Sequence, residues 1–241
     1  MSGHSKWKNI MHKKEKTDSA RANIFTKIGR EITLAVKEAG PDPASNSKLK
    51  DLIAKAKANN VPNDNIDRVI KKASGSGDDT NYEEIYYEGY GPCGIAVMVK
   101  CLTDNRNRTA GNLRHYFDKN GGNLGQNGSV GWMFSEKGVI VLDKNVYDED
   151  RLMETLMDTD CENFEVDDEV YEVITAPDKL SEVRDHLEAH DYEFLSCEKE
   201  MVPSSYSSIP DEESVAKMQK MLDMMEDDDD VQNVYHNWDE K

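Results

Sequence analysis

Catalytic chemistry has few footholds in this chain. His186 and His190 lie four residues apart with Glu188 between them, in HLEAH. A helical zinc pair needs its glutamate directly after the first histidine and a third ligand besides, so these two read as exposed helix residues. The run Asp227–Asp230 could draw a divalent ion. It lacks the spacing of a calcium loop, and four like charges at a helix end read as a frayed, solvated terminus. The sequence holds no G-x-S-x-G, no G-x-x-x-x-G-K-[ST], and no G-x-G-x-x-G following a strand. The expectation is a non-enzymatic chain with no catalytic residue, metal, cofactor or small-molecule substrate.

Basic and aromatic residues are more informative. In residues 1–16, MSGHSKWKNIMHKKEK, the side chains of Lys6, Lys8, Lys13, Lys14 and Lys16 can neutralise phosphates, while His4 and Trp7 offer flat rings and His12 adds a further imidazole. Lysines interleaved with stackable rings suit single-stranded or looped RNA, whose bases are splayed out. The other reading has Trp7 stapling the arm to the first helix. Arg21, Lys27 and Arg30 extend the basic set along that helix. TDNRNRT places Arg106 and Arg108 at a helix start, where free N–H groups and the dipole favour an anion. Equally, Asp104 and Asn105 cap the helix and the arginines pair with nearby carboxylates. The loop GGNLGQNGSVGW lets backbone approach a phosphate, or simply turns.

Charge is distributed unevenly. Residues 1–72 hold 16 Lys+Arg against 8 Asp+Glu, a balance of +8; residues 73–241 hold 14 against 40, a balance of −26. The net −18 over 241 residues therefore conceals a basic head on an acidic body, a pattern that points to a nucleic-acid contact confined to one module. Lysine-rich solvent faces on ordinary helices would produce the same count.

Elements must hold these residues in place. A helix capped at Thr17 or Asp18 runs to Ala39, stopped by Gly40, with Phe25, Ile28, Ile32 and Val36 as its apolar stripe. A second spans about 46–59, with Leu49, Leu52, Ile53 and Ala56 inside, and Asn63 caps a third bearing Ile66, Val69 and Ile70. After the linker Ser74–Asp79 come strands at 82–90 and 94–102 and a helix at 107–119. A hairpin is then expected to turn at Glu136 to Gly138. From Val139 to Met201 the order strand–helix–strand–strand–helix–strand is ferredoxin-like. A helix at 211–226 and the strand VQNVYHN complete the sheet begun at Tyr82. The fold class is α+β: an N-terminal three-helix domain followed by two α/β domains, the third ferredoxin-like and inserted into the second. The expected divisions are 1–75, 79–135 plus 204–241, and 136–203.

Cys93, Cys101, Cys161 and Cys197 form no CxxC pair and read as small buried hydrophobes in a reducing compartment. No stretch approaches the roughly 20 apolar residues of a membrane span, and the N-terminus lacks a secretory h-region. A cytoplasmic location without membrane contact is expected. Met218, Met221, Met224 and Met225 either pack on the second domain's sheet or form a partner surface.

Several motifs together carry a resemblance: GHSKW, DxxRxxxFTKIGREI (Asp18–Ile32), N-x-P-x-D-x-I (Asn60–Ile66), YYEGYGPxGxA (Tyr86–Ala96), TDNxNRT and GGNLGxxGSVxWxF (Gly121–Phe134). The chain resembles the YebC/PmpR family, which includes the mitochondrial translational activator of cytochrome oxidase subunit one. Gly40–Pro41 departs from the family's usual second glycine, at a turn. The resemblance implies three domains and two competing functions. One is DNA-binding transcriptional regulation at promoters; the other is ribosome association that relieves stalling on proline-rich nascent chains. An acidic body penalises lying along a duplex, and no groove-reading helix is evident, so ribosomal RNA is the favoured partner over promoter DNA. A protein-interaction module without nucleic-acid contact is the third class.

Overall fold

The computed structural model describes residues 18–75 and 80–239, with side chains from residue 22 onward. The helical head comprises α1 (Asp18–Ala39), α2 (Ser47–Ala58) and α3 (Asn63–Ser74). Ile28, Ile32 and Val36 of α1 bury against Leu49, Leu52 and Ala56 of α2 and Ile66 of α3, as a 3.6-residue apolar period requires. Gly40 ends α1 at φ +89°. Asn46 caps α2 by accepting from Leu49 N at 3.0 Å, while its amide donates to Ala35 O and Gly40 O. Asn63 is a correction: it is the first residue of α3, Pro62 holds the cap position, and no side chain caps that helix.

The first sheet has the order β3-β1-β2-β9, from β1 (Glu83–Tyr90), β2 (Ala96–Thr103), β3 (Asn123–Leu124) and β9 (Val231–His236), all antiparallel. Strand β2 is apolar from Ala96 to Val99 and again at Cys101 and Leu102 because both its faces are covered, with Lys100 reaching Glu84 at 2.9 Å. Val97, Val99 and Cys101 meet helices α4 (Arg106–Lys119) and α7 (Glu212–Glu226) through Leu113, Phe117, Met218, Met221 and Met225. Ala96 and Met98 pack on Val130 and Phe134. Three of the four methionines are therefore core.

The second sheet, β5-β6-β4-β7, is built from β4 (Phe134–Asp143), β5 (Cys161–Val166), β6 (Val170–Thr175) and β7 (Ser196–Pro203). Its helices are α5 (Glu149–Leu156) and α6 (Leu180–Glu188). All its strand pairs are antiparallel, which is the ferredoxin-like arrangement. Since β4 leaves the first sheet's core and β9 returns to it, this unit is inserted in the chain of the second. A two-residue pair, β8 (Ser207–Ser208) with β10 (Trp238–Asp239), completes the strands.

The hairpin expected at Glu136–Gly138 is not there. One uninterrupted strand runs from Phe134 to Asp143, pairing with both β6 and β7. Gly138 serves close packing: a Cβ there would collide with Thr175 Oγ1 and lie 2.8 Å from Leu180 Cβ. Cys93 is also a correction, being exposed rather than buried, at φ +57° in the β1–β2 turn. Gly138→Ala should lower stability by about 1–3 kcal/mol through overpacking. Gly111→Ala, inside α4 with nothing within 4 Å, should raise it by about 0.5–1 kcal/mol. Denaturant unfolding of both variants checks the pair; a neutral Gly138→Ala would return Gly138 to the role of a turn residue.

Candidate nucleic-acid interface

The basic residues of the head and of α4 divide by what they touch. His4, Lys6, Trp7, Lys8, His12, Lys13, Lys14 and Lys16 lie outside the described residues, as does the side chain of Arg21. Lys27 donates through Nζ to the carbonyl of Glu226 at 2.6 Å. Arg30 donates to Leu102 O at 3.1 Å and to Asp230 Oδ1 at 2.5 Å. Arg108 reaches the same carboxylate, with Nε on Oδ2 at 3.1 Å and Nη2 on Oδ1 at 2.8 Å. Its Nη2 also lies 2.7 Å from Asp104. Thr109 Oγ1 donates to Asp230 Oδ2 at 2.8 Å. Arg106 pairs with Glu83 at 3.0 Å, with both side chains largely exposed.

At the start of α4, therefore, the anion is supplied from within. Asn105 caps the helix by accepting from Arg108 N, and the carboxylate of Asp230, 2% exposed, fills the site that Arg108 and Thr109 make. Asp227–Asp230 is not a frayed end. Asp228 accepts from Asn112 Nδ2 at 3.0 Å and Tyr116 Oη at 2.9 Å, and Asp230 leads directly into β9. Burial alone would raise the Asp230 carboxyl; Arg30, Arg108 and Thr109 outweigh it and hold it below its ordinary value.

The glycine loop behaves alike. Backbone N–H groups of Gly128, Val130 and Gly131 converge on the Glu88 carboxylate at 2.8, 2.7 and 2.7 Å. A concave set of N–H groups is an anion site, and here an internal carboxylate occupies it. Desolvation pushes Glu88 up, the three donors outweigh that, and the group titrates below its ordinary value.

The head is also tied to the inserted domain. Lys55 lies between Glu31 at 3.3 Å and Glu198 at 3.2 Å. Burial opposes its charge, but the two carboxylates hold the amine above the usual lysine range. What sequence reading missed is the outward set. Lys50 and Lys57 on α2 and Arg68, Lys71 and Lys72 on α3 are exposed and, among the described residues, carry no ion pair. Their signal was available: each sits on the side of its helix away from Leu49, Leu52 and Ala56, or away from Ile66 and Val69. His186 is half-buried and His190 exposed; their rings stack at 4.5 Å, and no metal-holding group of His, Cys, Asp or Glu occurs among the described residues. No helix among them is long and apolar enough to cross a membrane.

A basic helical head locked by ion pairs onto two α/β domains, one inserted in the other, defines a three-domain protein class. Residues 5–76 match the TACO1/YebC protein N-terminal domain and residues 82–238 the TACO1/YebC second and third domain. The chain belongs to the TACO1/YebC family. Similar proteins called "Probable transcriptional regulatory protein" occur in Acetivibrio thermocellus, 58% identical over 99% of both chains, and in Caldicellulosiruptor bescii, 54% identical over 100% of this chain and 99% of the relative. The crystal structure of a conserved hypothetical protein from Aquifex aeolicus superposes with a TM-score of 0.85 at 40% identity, covering 93% of this chain and 92% of that one.

Asp230→Asn should cost about 3 kcal/mol, the low end for breaking a buried pair because Arg108 is 44% exposed and screened. The head should then loosen, read as faster limited proteolysis between residues 75 and 80. Acid should destabilise the protein in two stages. Burial pushes His236 down to about 4, so its neutral-state contribution is complete above about pH 6.5 and lost as pH falls toward 4. Glu88 and Asp230, also lowered, contribute fully above about pH 5 and lose that contribution below it. Urea midpoints measured from pH 7 to pH 3 should fall in both windows, and His236→Gln should remove the upper one.

Proposed function

We propose that this chain is a non-enzymatic, nucleic-acid-binding gene-expression factor that associates with the ribosome. It contacts ribosomal RNA through its basic head and acts on translation stalled at proline-rich nascent chains. The observation that carries this reading is the sorting of positive charge. Lys27, Arg30, Lys55 and Arg108 are spent on the body, while Lys50, Lys57, Arg68, Lys71 and Lys72 face outward without carboxylate partners among the described residues. The basic arm precedes α1 on the same module. Exposed lysines without partners are suited to phosphate, and a balance of −26 over residues 73–241 opposes a duplex running along the body.

The names of the relatives favour a second reading, DNA-binding transcriptional regulation. The two differ in one measurable respect. A promoter regulator binds its sequence about a thousandfold or more tighter than scrambled duplex; a ribosome factor has no such preference. The full-length protein should co-sediment with ribosomes at near-physiological salt and shift specific and scrambled duplexes equally weakly. Changing Lys6, Lys8, Lys13 and Lys14 to Glu should abolish co-sedimentation with little change in melting temperature. Tight, sequence-selective duplex binding without ribosome pelleting would replace this reading with the transcriptional one.

A further inference from the structure

Residues 120–135 carry no Asp, Glu, Lys or Arg, in a chain that is 32% charged. Residues 89–99 are likewise uncharged. The fold sets the two segments side by side. Strand β3 pairs with β1 at Gly89↔Leu124 and Tyr90↔Asn123, and a Cβ on Gly122 would stand 3.1 Å from Gly91 Cα. The two segments thus form an uncharged strip on an otherwise acidic body, bordered by exposed Asp118 and Lys119 at the end of α4, and Asn123, Gln126 and Asn127 are exposed on it.

Trp132 stands in this segment with 74% of its surface exposed. Its Nε1 donates to Ser129 O at 3.1 Å, and that carbonyl also accepts from Tyr90 Oη at 2.8 Å. Glu88 holds the backbone on both sides of Ser129. The indole's one polar atom is therefore satisfied internally, its loop is fixed, and what it offers outward is ring surface.

We propose that Trp132 is a stacking platform for an unpaired base of RNA, with the amides of Asn123, Gln126 and Asn127 placed to meet base edges; this rests on the RNA reading above. The loop is unsuited to phosphate, because Glu88 already fills its N–H cradle and the loop contributes no cation. It is equally unsuited to a broad protein contact. Its exposed neighbours are amides and glycines, and the other large exposed apolar side chains among the described residues, Val146, Met153, Met157 and Val166, belong to the inserted domain. A fixed aromatic ring among neutral amides matches the way single-stranded bases are held.

The test uses the full-length chain with its native tryptophans; Trp238 is buried, and quenching is assigned to Trp132 by its loss in Trp132→Ala. Titration with a short oligoadenylate should quench the exposed tryptophan. Trp132→Ala should weaken binding about 5- to 100-fold, the range expected for one lost base stack, and Trp132→Phe should recover most of it. Ribosome pelleting is run in parallel with the arm-reversed variant. If Trp132→Ala binds oligoadenylate and ribosomes normally while arm reversal abolishes both, the platform is overturned and the RNA reading stands. If the parent protein binds neither, both fall. If Trp132→Ala loses ribosomes although oligoadenylate never quenches the indole, the ring meets protein and the stacking proposal is wrong.

Discussion

A carboxylate with 2% of its residue surface exposed is untenable unless it is fully coordinated, because burying an unpaired charge costs several kcal/mol. Asp230 meets that condition only by drawing together distant parts of the chain. Arg30 comes from the helical head, 200 residues away; Arg108 and Thr109 come from α4, and Thr103 from the end of β2. The main chain of the same residue accepts from Leu102 N, and β9 starts at the next residue, entering the sheet opposite Cys101 with a register shift beside it. The orientation of α4 and the entry of β9 thus answer to one pair of oxygens, which share the docking of the head with Lys27 on the Glu226 carbonyl and Lys55 on Glu198. Lysine would not replace Arg108, since a single ammonium cannot reproduce the two parallel donors it presents.

Glu88 repeats the device with backbone donors in place of arginines. The two anion sites expected from the sequence at the α4 start and the glycine loop are thereby filled with internal carboxylates. Positive charge for any outside phosphate must then come from elsewhere, and within the described part of the head the outward lysines and arginine of α2 and α3 can supply it. Screening makes this workable. At physiological salt the Debye length is about 8 Å, so the body's −26 does not cancel the field close to those side chains, though it still opposes an anion lying across the body.

Patterns of nearest neighbours were legible from the sequence; pairings across long separations were not. The stripe Ile28, Ile32, Val36 defined α1, the ferredoxin-like order from Val139 to Met201 appeared intact, and VQNVYHN was placed in the sheet begun near Tyr82. The first two rest on period and element order read along the chain, and the third on a tail too short to stand alone. Asp230 looked like a solvated charge because its partners lie 121 to 200 residues upstream of it and no local spacing reports them. Gly138 looked like a turn because glycine signals turns and close approaches with the same letter, and only the position of Thr175 and Leu180 distinguishes them. Arg108 carried two readings, and the carboxylate that decides between them stands 122 residues downstream.

The positions of these features along the first sheet constrain what the molecule can grip. Arg30 anchors the head at Leu102, near the C-terminal end of β2, whereas the neutral turn at Gly91–Ile95 precedes that strand. Strands β1 and β2 are each eight residues long, so basic head and neutral turn are separated by about 25 Å at roughly 3.3 Å per residue. A duplex meeting the head's cations and extending that far would lay its phosphates along an acidic surface. A folded RNA need not: it can place backbone against the outward lysines and turn an unpaired base toward Trp132, because its strands change direction and its loops splay their bases. Cations on the head and a fixed ring on the Glu88-held loop therefore favour a target with relief over a uniform rod.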